Sequence, residues 1–197
     1  MASRLGDQTA RMMGRVSLNP IDHIDPIGTL IFPALMIFGP FFGLGFGGML
    51  VGWAKPTPVI TRNFRNFVRD TTLVSLAGPA SNLLIAVLAF FGMAFLAITQ
   101  HRSPVMEYPS SDSHFLVIFL NLALLINLSL CIFNLIPIPP LDGSRVLRNF
   151  LPYGAAQVYD RINNWISYLL IITVGRAIMG MLLYPILGLF YSALARL

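Results

Sequence analysis

Alternating apolar and polar stretches divide the chain into four apolar segments and the polar segments that join them. Residues 71–98 and 115–136 carry no charge, and each is long enough to cross a bilayer as a helix, which takes roughly 20 apolar residues. Gly78 and Pro79 are expected to kink the first of these helices. The pattern predicts an all-α polytopic membrane protein with about four transmembrane or re-entrant segments.

The other two apolar segments are interrupted. Residues 27–53 contain many glycines and prolines, which suits a broken or re-entrant element and suits equally a full helix packed through small residues. Residues 165–196 are interrupted by Gly175, Arg176 and Pro185. This last segment therefore predicts either one long kinked helix or two short pieces.

Residues 53–70 form a basic loop whose first part, Lys55–Pro58, is expected to be extended. Proline fixes the backbone there and restricts any strand to the edge of a sheet. We therefore expect a short extended hairpin or edge at this loop. An extended segment with free backbone N–H and C=O groups can pair with an unfolded peptide by strand addition.

The composition excludes a soluble domain. The chain of 197 residues is 56% hydrophobic and 11% charged, with a mean hydropathy of +0.74, whereas soluble domains carry about 25% charged residues. This length suits a single membrane-embedded domain over residues 1–197. The single cysteine, Cys131, lies in an apolar run, so it forms no disulfide and indicates no cysteine-based metal site.

The positive charges predict the orientation of the chain in the lipid bilayer. Residues 53–70 and 137–164 carry more basic residues than residues 99–114, so the first two are expected to face the cytoplasm. The arginines of residues 1–26 place that segment on the same side, which favours the re-entrant interpretation of residues 27–53. The net charge of +5 thus reports orientation, and we expect no nucleic-acid partner.

A proline-rich stretch, residues 134–148, carries the candidate chemistry. The apolar run before it meets three prolines that cannot continue a helix and that favour an extended backbone, Pro137, Pro139 and Pro140. Asp142 follows, and then Gly143, which permits a tight turn. A carboxylate at the mouth of a membrane helix is costly unless it is paired, hydrated or bound to a metal. These residues alone are compatible with a solvated turn and with a functional site.

Several motifs together resemble the site-2 protease family of intramembrane zinc metalloproteases. Residues 134–143 look like the second signature of that family, and residues 77–82 resemble the motif in its preceding helix. The small bacterial branch of the family is resembled by four N-terminal stretches, residues 5–7, 14–20, 23–29 and 52–56. The resemblance covers residues 1 to about 165 in order, and it implies a multi-pass protein of the bacterial plasma (inner) membrane.

The resemblance also implies a zinc site and its substrates. In that family a HExxH motif on an earlier helix supplies two histidine ligands and a glutamate base, and a later aspartate is the third ligand. The match places this aspartate at Asp142 and makes Zn²⁺ the implied cofactor. The family cuts transmembrane segments, so membrane-protein substrates are the implied partners. The residues expected to hold or lie near the unwound substrate are Asn134, Pro137, Pro139, Pro140, Asn82 and Lys55.

The sequence departs from the family at the catalytic motif, because it contains no HExxH. No catalytic residue is therefore assigned, and the zinc site is incomplete, since a catalytic zinc needs three protein ligands. His23 is expected to be a surface or capping residue, whereas His101 and His114 fall in the loop placed outside and lack the one-turn spacing. We expect an N-terminally incomplete form that is inactive alone.

Non-enzymatic functions remain as alternatives. The chain would then be a catalytically inactive pseudoprotease or a regulatory protein that binds membrane helices. A small transporter also uses broken helices with polar residues at membrane depth, but it would show paired broken segments in two related halves, which the sequence lacks. The DNA upstream of Met1 distinguishes these alternatives, because an in-frame HExxH favours the protease and a stop codon favours the inactive protein.

Overall fold

The computed structural model describes residues 1–17, 19–38, 54–55, 57–100 and 111–196. The chain divides into two compact units, Met1–Asp70 and Thr71–Leu197. Helices and helical turns make up the regular structure of both units, and the part of the chain that is described contains no strand. The predicted all-α class is thereby confirmed.

The first unit is built from short helical turns. These are α1 (Thr9–Met12), α2 (Phe32–Phe38), a π-helical turn (Pro26–Ile31) and three 3-10 turns, Ala2–Leu5, Pro20–His23 and Thr61–Asn63. The π-helical turn and α2 are the described part of the apolar segment 27–53. Residues 39–53 lie outside the described residues, so whether this segment spans or re-enters stays a prediction. Ile60 has an extended backbone, but it lies beyond Lys55–Pro58, so the extended conformation expected there stays a prediction.

Three described helices are long and apolar enough to cross a membrane, Phe67–Thr99, Phe115–Leu135 and Ala177–Leu194. They are parts of α3 (Phe67–Gln100), α4 (Ser111–Leu135) and α8 (Arg176–Leu194). Pro79 lies inside α3, and the helix continues past it. The segments predicted at 71–98 and 115–136 are therefore helices.

The last apolar segment is one continuous helical run rather than two separate pieces. It starts with α7 (Asn164–Leu170), passes through a π-helical turn (Ile171–Gly175) and continues as α8, with Pro185 inside. The irregular turn ends at the Gly175–Arg176 step where the sequence predicted an interruption. Two short helices, α5 (Asp142–Phe150) and α6 (Tyr153–Asp160), lie between α4 and α7.

A fully buried carboxylate, Asp7, joins the two ends of the first unit. Its Oδ1 accepts hydrogen bonds from Thr9 Oγ1 (2.5 Å) and Asn63 Nδ2 (3.0 Å), and its Oδ2 accepts one from the N–H of Ile60 (2.8 Å). These bonds, first that of Thr9 and then that of Asn63, hold the pKa of Asp7 well below its usual range. Gly6 precedes it with φ +117°, and a Cβ there would lie 2.7 Å from Asn63 O. The Gly6–Asp7 pair is therefore structural.

The core of the second unit lies between α3, α4 and α8. Alanines on α3 face leucines on the other two helices in a buried cluster of Ala86, Ala89, Met93, Ala94, Leu124, Leu128, Ile132, Leu187 and Leu194. A Cβ on Gly92 would lie 3.2 Å from the Leu120 side chain, so α3 and α4 approach closely there. Small residues allow this approach in a membrane, where helices associate by packing rather than by the hydrophobic effect.

One hydrogen bond links α8 to α4 within this core, and its loss is expected to be measurable. The Tyr191 hydroxyl donates to Asn121 Oδ1 at 2.6 Å. We expect Tyr191→Phe to lower the free energy of unfolding by about 0.6–1.7 kcal/mol, the range for such bonds between membrane helices. Unfolding of the full chain in mixed micelles of increasing dodecyl sulfate content measures this. The matched control is Tyr184→Phe on the same helix, which is 72% exposed and should change nothing. Equal effects of the two substitutions would contradict the assignment.

Candidate functional site

Asp142 is the first residue of α5, and its carboxylate faces α3. The Asp142 Oδ2 atom lies 3.4 Å from the position that a Cβ would take on Gly78. The aspartate is partly buried, whereas Gly78 is exposed. Within the described parts of the chain, no group donates a hydrogen bond to this carboxylate. Two motifs that the sequence analysis singled out independently, at residues 77–82 and 134–143, therefore meet in the fold.

Contacts along α3 and α4 show that the site lies at one end of the helices. Asn149 Nδ2 donates to Thr72 Oγ1 at 3.0 Å, and Asp142 faces Gly78, so the start of α3 lies beside the segment that follows α4. Gly92, further along α3, lies against Leu120, further back along α4. The two helices are therefore antiparallel. The prediction that residues 53–70 and 137–164 face the cytoplasm stays a prediction.

The proline loop between α4 and α5 is folded into turns. The N–H of Ile138 donates to Ile136 O at 2.9 Å, and the N–H of Leu141 donates to Ile138 O at 3.0 Å. The expectation of an extended backbone across Pro137–Pro140 is therefore wrong. The physical reason is that the φ angle of proline suits a turn as well as an extended chain, and the backbone bonds close the turns. Pro139–Pro140 is a cis peptide bond.

Gly143 packs the start of α5 directly onto the end of α4. A Cβ at this position would overlap the carbonyl group of Leu135 and lie 2.8 Å from Ile136 O. Ser144, which is also buried, donates from Oγ to Leu141 O at 2.6 Å. The sequence analysis assigned Gly143 to a tight turn. The structure gives a different reason, since only glycine lets the two backbones come this close.

Helix α6 braces α5 and the proline loop. Arg148 donates to Asp160 through Nε (2.8 Å to Oδ1) and Nη2 (2.7 Å to Oδ2), the only ion pair within the described ranges. This pair lowers the pKa of Asp160. The neighbouring Tyr159 donates its hydroxyl to Pro137 O at 2.9 Å. These contacts join α6 to α5, the helix that begins at Asp142, and to the proline loop; the sequence analysis used Arg148 only as an orientation signal.

The other predicted site residues lie partly at this end and partly elsewhere. Asn134 is in the last turn of α4, where its Nδ2 donates to Leu130 O at 2.9 Å. Asn82 follows Gly78 by one helical turn and therefore lies on the same face of α3. Pro137 and Pro140 are exposed in the loop. Lys55 belongs to the first unit, where its N–H donates to His23 O at 3.0 Å.

No histidine side chain that the structure describes joins Asp142 as a further zinc ligand. His23 Nε2 lies 2.9 Å from Ser17 O, so this ring is engaged with a backbone carbonyl at the end of a 3-10 turn. The side chains of His101 and His114 lie outside the described residues. Among the residues that are described, no group of three histidine, cysteine, aspartate or glutamate side chains could hold a metal ion. The donors present therefore do not fit a complete zinc site, and Asp142 is one carboxylate without further ligands.

The environment of Asp142 predicts a pH-dependent stability cost. Burial raises the pKa of its carboxyl group, and Arg145 offsets part of this rise. The pKa of Asp142 is higher in the folded than in the unfolded state. The charged carboxylate therefore destabilises the fold at pH values above the folded-state pKa. This cost disappears as the pH falls towards the unfolded-state pKa of about 3.9. We expect Asp142→Asn to raise the unfolding temperature of the metal-free chain at pH 7, with a gain that shrinks towards pH 4.

The matched control for this prediction is Asp160→Asn, which should have the opposite sign. The pKa of Asp160 is lowered by Arg148, so its charge stabilises the fold above its unfolded pKa, and the loss at pH 7 is at most about 1 kcal/mol because the pair is exposed. Thermal unfolding with a chelator present, between pH 7 and pH 4, checks both. A destabilising Asp142→Asn at pH 7 would contradict the assigned cost.

Fold and site together define a polytopic α-helical membrane protein with a single aspartate held at a proline-broken helix end. Residues 98–175, which include the proline loop and Asp142, match the family model described as Peptidase family M50. Over these residues the chain matches the site-2 protease family. The resemblance predicted from the motifs is thereby confirmed.

Curated relatives agree with the family match. The chain is 38% identical over 154 residues to "Putative zinc metalloprotease YwhC" of Bacillus subtilis, covering 78% of this chain and 62% of that protein. It is 28% identical over 175 residues to "Putative zinc metalloprotease Rip2" of Mycolicibacterium smegmatis, covering 88% of this chain and 58% of that protein. The chain thus spans less than two thirds of the length of these relatives. No solved structure matches it.

Proposed function

We propose that this chain supplies one zinc ligand and a substrate-holding loop to an intramembrane metalloendopeptidase. Such an enzyme would hydrolyse peptide bonds in or near transmembrane segments of other membrane proteins. The observation that carries the proposal is the Asp142 carboxylate, which is partly buried, faces the exposed Gly78, and accepts no hydrogen bond from the described residues. A carboxylate in such a position is costly, and a bound cation would offset the cost.

The other ligands would come from a HExxH motif, which this sequence does not contain. A catalytic zinc takes three protein ligands, and the donors gathered at Asp142 do not reach that number among the described residues. We propose that a helix carrying HExxH completes the site and that the chain alone is inactive. The residues of this chain then have a positioning task, in which Gly143 and α6 hold the carboxylate at the end of α4 and opposite α3.

Two groups of residues would hold an unwound substrate. Asn134 uses its Nδ2 within α4, and its Oδ1 accepts no bond from a described residue, so this oxygen can accept one from a peptide N–H. In the first unit the N–H groups of Thr57 and Val59 have no partner within the described ranges, whereas the N–H of Lys55 is engaged. Strand addition, if it occurs here, would therefore use Thr57 and Val59.

The test compares the chain alone with a longer polypeptide. The DNA upstream of codon 1 is read first, and an in-frame HExxH on an apolar helix supports the protease. Both polypeptides are then purified, and zinc per molecule and cleavage of a model transmembrane substrate are measured. We expect stoichiometric zinc and turnover only with HExxH present. Stoichiometric zinc and turnover by the chain alone would contradict the proposal.

A non-enzymatic function is the second candidate, because the sequence contains no HExxH and the described residues contain no group of three metal-binding side chains. A pseudoprotease would still bind membrane helices at the proline loop. A stop codon directly upstream of codon 1, together with retained binding of a model transmembrane segment, would favour this candidate.

A further inference from the structure

The first unit contains a cationic pocket that is independent of the proposed zinc site. The pocket has a volume of about 600 Å³ and is lined by residues that follow α1, by the second 3-10 turn and by one lysine, namely Met13, Gly14, Arg15, Ile21, Asp22 and Lys55. This volume is within the range that small ligands occupy in proteins, roughly 300–1,000 Å³. Its two cations face one acid, so the lining is net positive.

Hydrogen-bond donors in this pocket are not fully used. Arg15 donates from Nη1 to Asp22 O at 2.7 Å, and its buried Nε has no hydrogen-bond partner among the described residues. The Lys55 ammonium group has no hydrogen bond or ion pair with any described residue. Asp22 directs its Oδ1 towards Asn19 Nδ2 at 3.4 Å. The Lys55 ammonium group can therefore donate to an anionic oxygen, and such charge-assisted hydrogen bonds are roughly twice as strong as neutral ones.

Exposed apolar side chains surround the same pocket. Met13 and Ile21 line it and are 57% and 69% exposed, and Met12 and Val16 beside them in sequence are 83% and 63% exposed. The unit continues into the apolar π-helical turn Pro26–Ile31, where Leu30 is also exposed. Cations beside exposed apolar side chains suit the boundary between lipid headgroups and acyl chains. A free inorganic anion would use only the cations.

We propose that this pocket binds the phosphate group of an anionic phospholipid. Arg15 and Lys55 contact the phosphate oxygens, and the rim of Met12, Met13, Val16 and Ile21 lies among the first carbons of the acyl chains. The pocket thereby fixes the depth and orientation of the first unit at the bilayer surface. This role needs no zinc and no catalytic activity, so it can be tested independently of the proposed function.

The experiment measures lipid retention by the full chain in neutral detergent. Native mass spectrometry follows titration with dioleoylphosphatidylglycerol, dioleoylphosphatidylcholine or inorganic phosphate. We expect one phosphatidylglycerol to bind in preference to phosphatidylcholine, and inorganic phosphate to bind much more weakly. The double variant Arg15→Gln/Lys55→Gln should bind phosphatidylglycerol roughly 25-fold more weakly, since each cation near an anionic lipid contributes about fivefold.

A matched control removes the same charge elsewhere in the unit. Arg62 and Arg65 are exposed and do not line the pocket, so Arg62→Gln/Arg65→Gln should weaken binding less than about twofold. The single variant Lys55→Gln controls for misfolding of the double variant, because the Lys55 ammonium group makes no hydrogen bond or ion pair with any described residue. We expect it to lose less phosphatidylglycerol affinity than the double variant. Wild-type binding by the pocket variants, equal losses in the control, or equal binding of inorganic phosphate would each overturn the proposal.

Discussion

Gly143→Ala is expected to destabilise the second unit by about 3 kcal/mol or more, the largest effect that we predict for a single methyl group. The added Cβ would overlap the Leu135 carbonyl group and lie 2.8 Å from Ile136 O. Overpacking usually destabilises a protein by about 1–3 kcal/mol. We expect a cost at or above the upper end of this range here, because backbone atoms rather than flexible side chains must move. To relieve this overlap, α5 would have to move away from α4, and this movement would displace Asp142. Unfolding in mixed micelles and the fraction of monodisperse protein measure the effect.

The matched control is Gly154→Ala in α6. Outside its chain neighbours and its own helix backbone, no described atom lies within 4 Å of a Cβ built at Gly154, and the residue is exposed within the helix. Alanine is preferred to glycine in a helix by roughly 0.5–1 kcal/mol, so this variant should be as stable as the wild type or slightly more stable. If Gly143→Ala matched Gly154→Ala, the close packing of α5 on α4 would be contradicted.

Asp142→Asn is expected to reduce zinc affinity at least about 100-fold in a polypeptide that also carries HExxH. An asparagine of the same size keeps the fold but replaces a charged oxygen ligand by a neutral amide, and even the loss of an outer-shell partner typically costs 10–100-fold in metal affinity or activity. Competition with a chelator of known affinity measures the zinc affinity, and cleavage of a model transmembrane substrate measures the accompanying loss of turnover.

Asp160→Asn makes the same change of charge 18 positions further along and provides the control. Asp160 is exposed and bound to Arg148, so its replacement should leave zinc affinity within about twofold. Asp142→Asn should therefore lose zinc while it stabilises the metal-free chain, which is the combination expected where a residue is retained for function at a cost in stability. If Asp142→Asn left the zinc affinity unchanged, the proposed function would be contradicted.

Local information in the sequence was enough for the long helices and for the candidate aspartate. Residues 71–98 and 115–136 have the length and hydropathy of spanning helices, and the ends of the helices, Phe67–Gln100 and Ser111–Leu135, differ from the predicted ends by at most four residues. Asp142 drew attention because a charge after a proline-broken apolar run is costly, but its predicted role as a zinc ligand came from the family resemblance and stays a prediction. The proline loop was mispredicted as extended, since proline limits φ but does not decide between a turn and a strand.

Pairings between distant residues were decided by the tertiary structure alone. The sequence determined the helical class, the apolar segments and the position of the acid, because hydropathy and proline act on the residues that carry them. It did not determine that Gly78 faces Asp142, that the Leu135 carbonyl excludes a side chain at residue 143, or that Asp7 bonds to Asn63. These contacts join residues 8 to 64 positions apart. They depend on how the helices and turns pack, which no local pattern encodes.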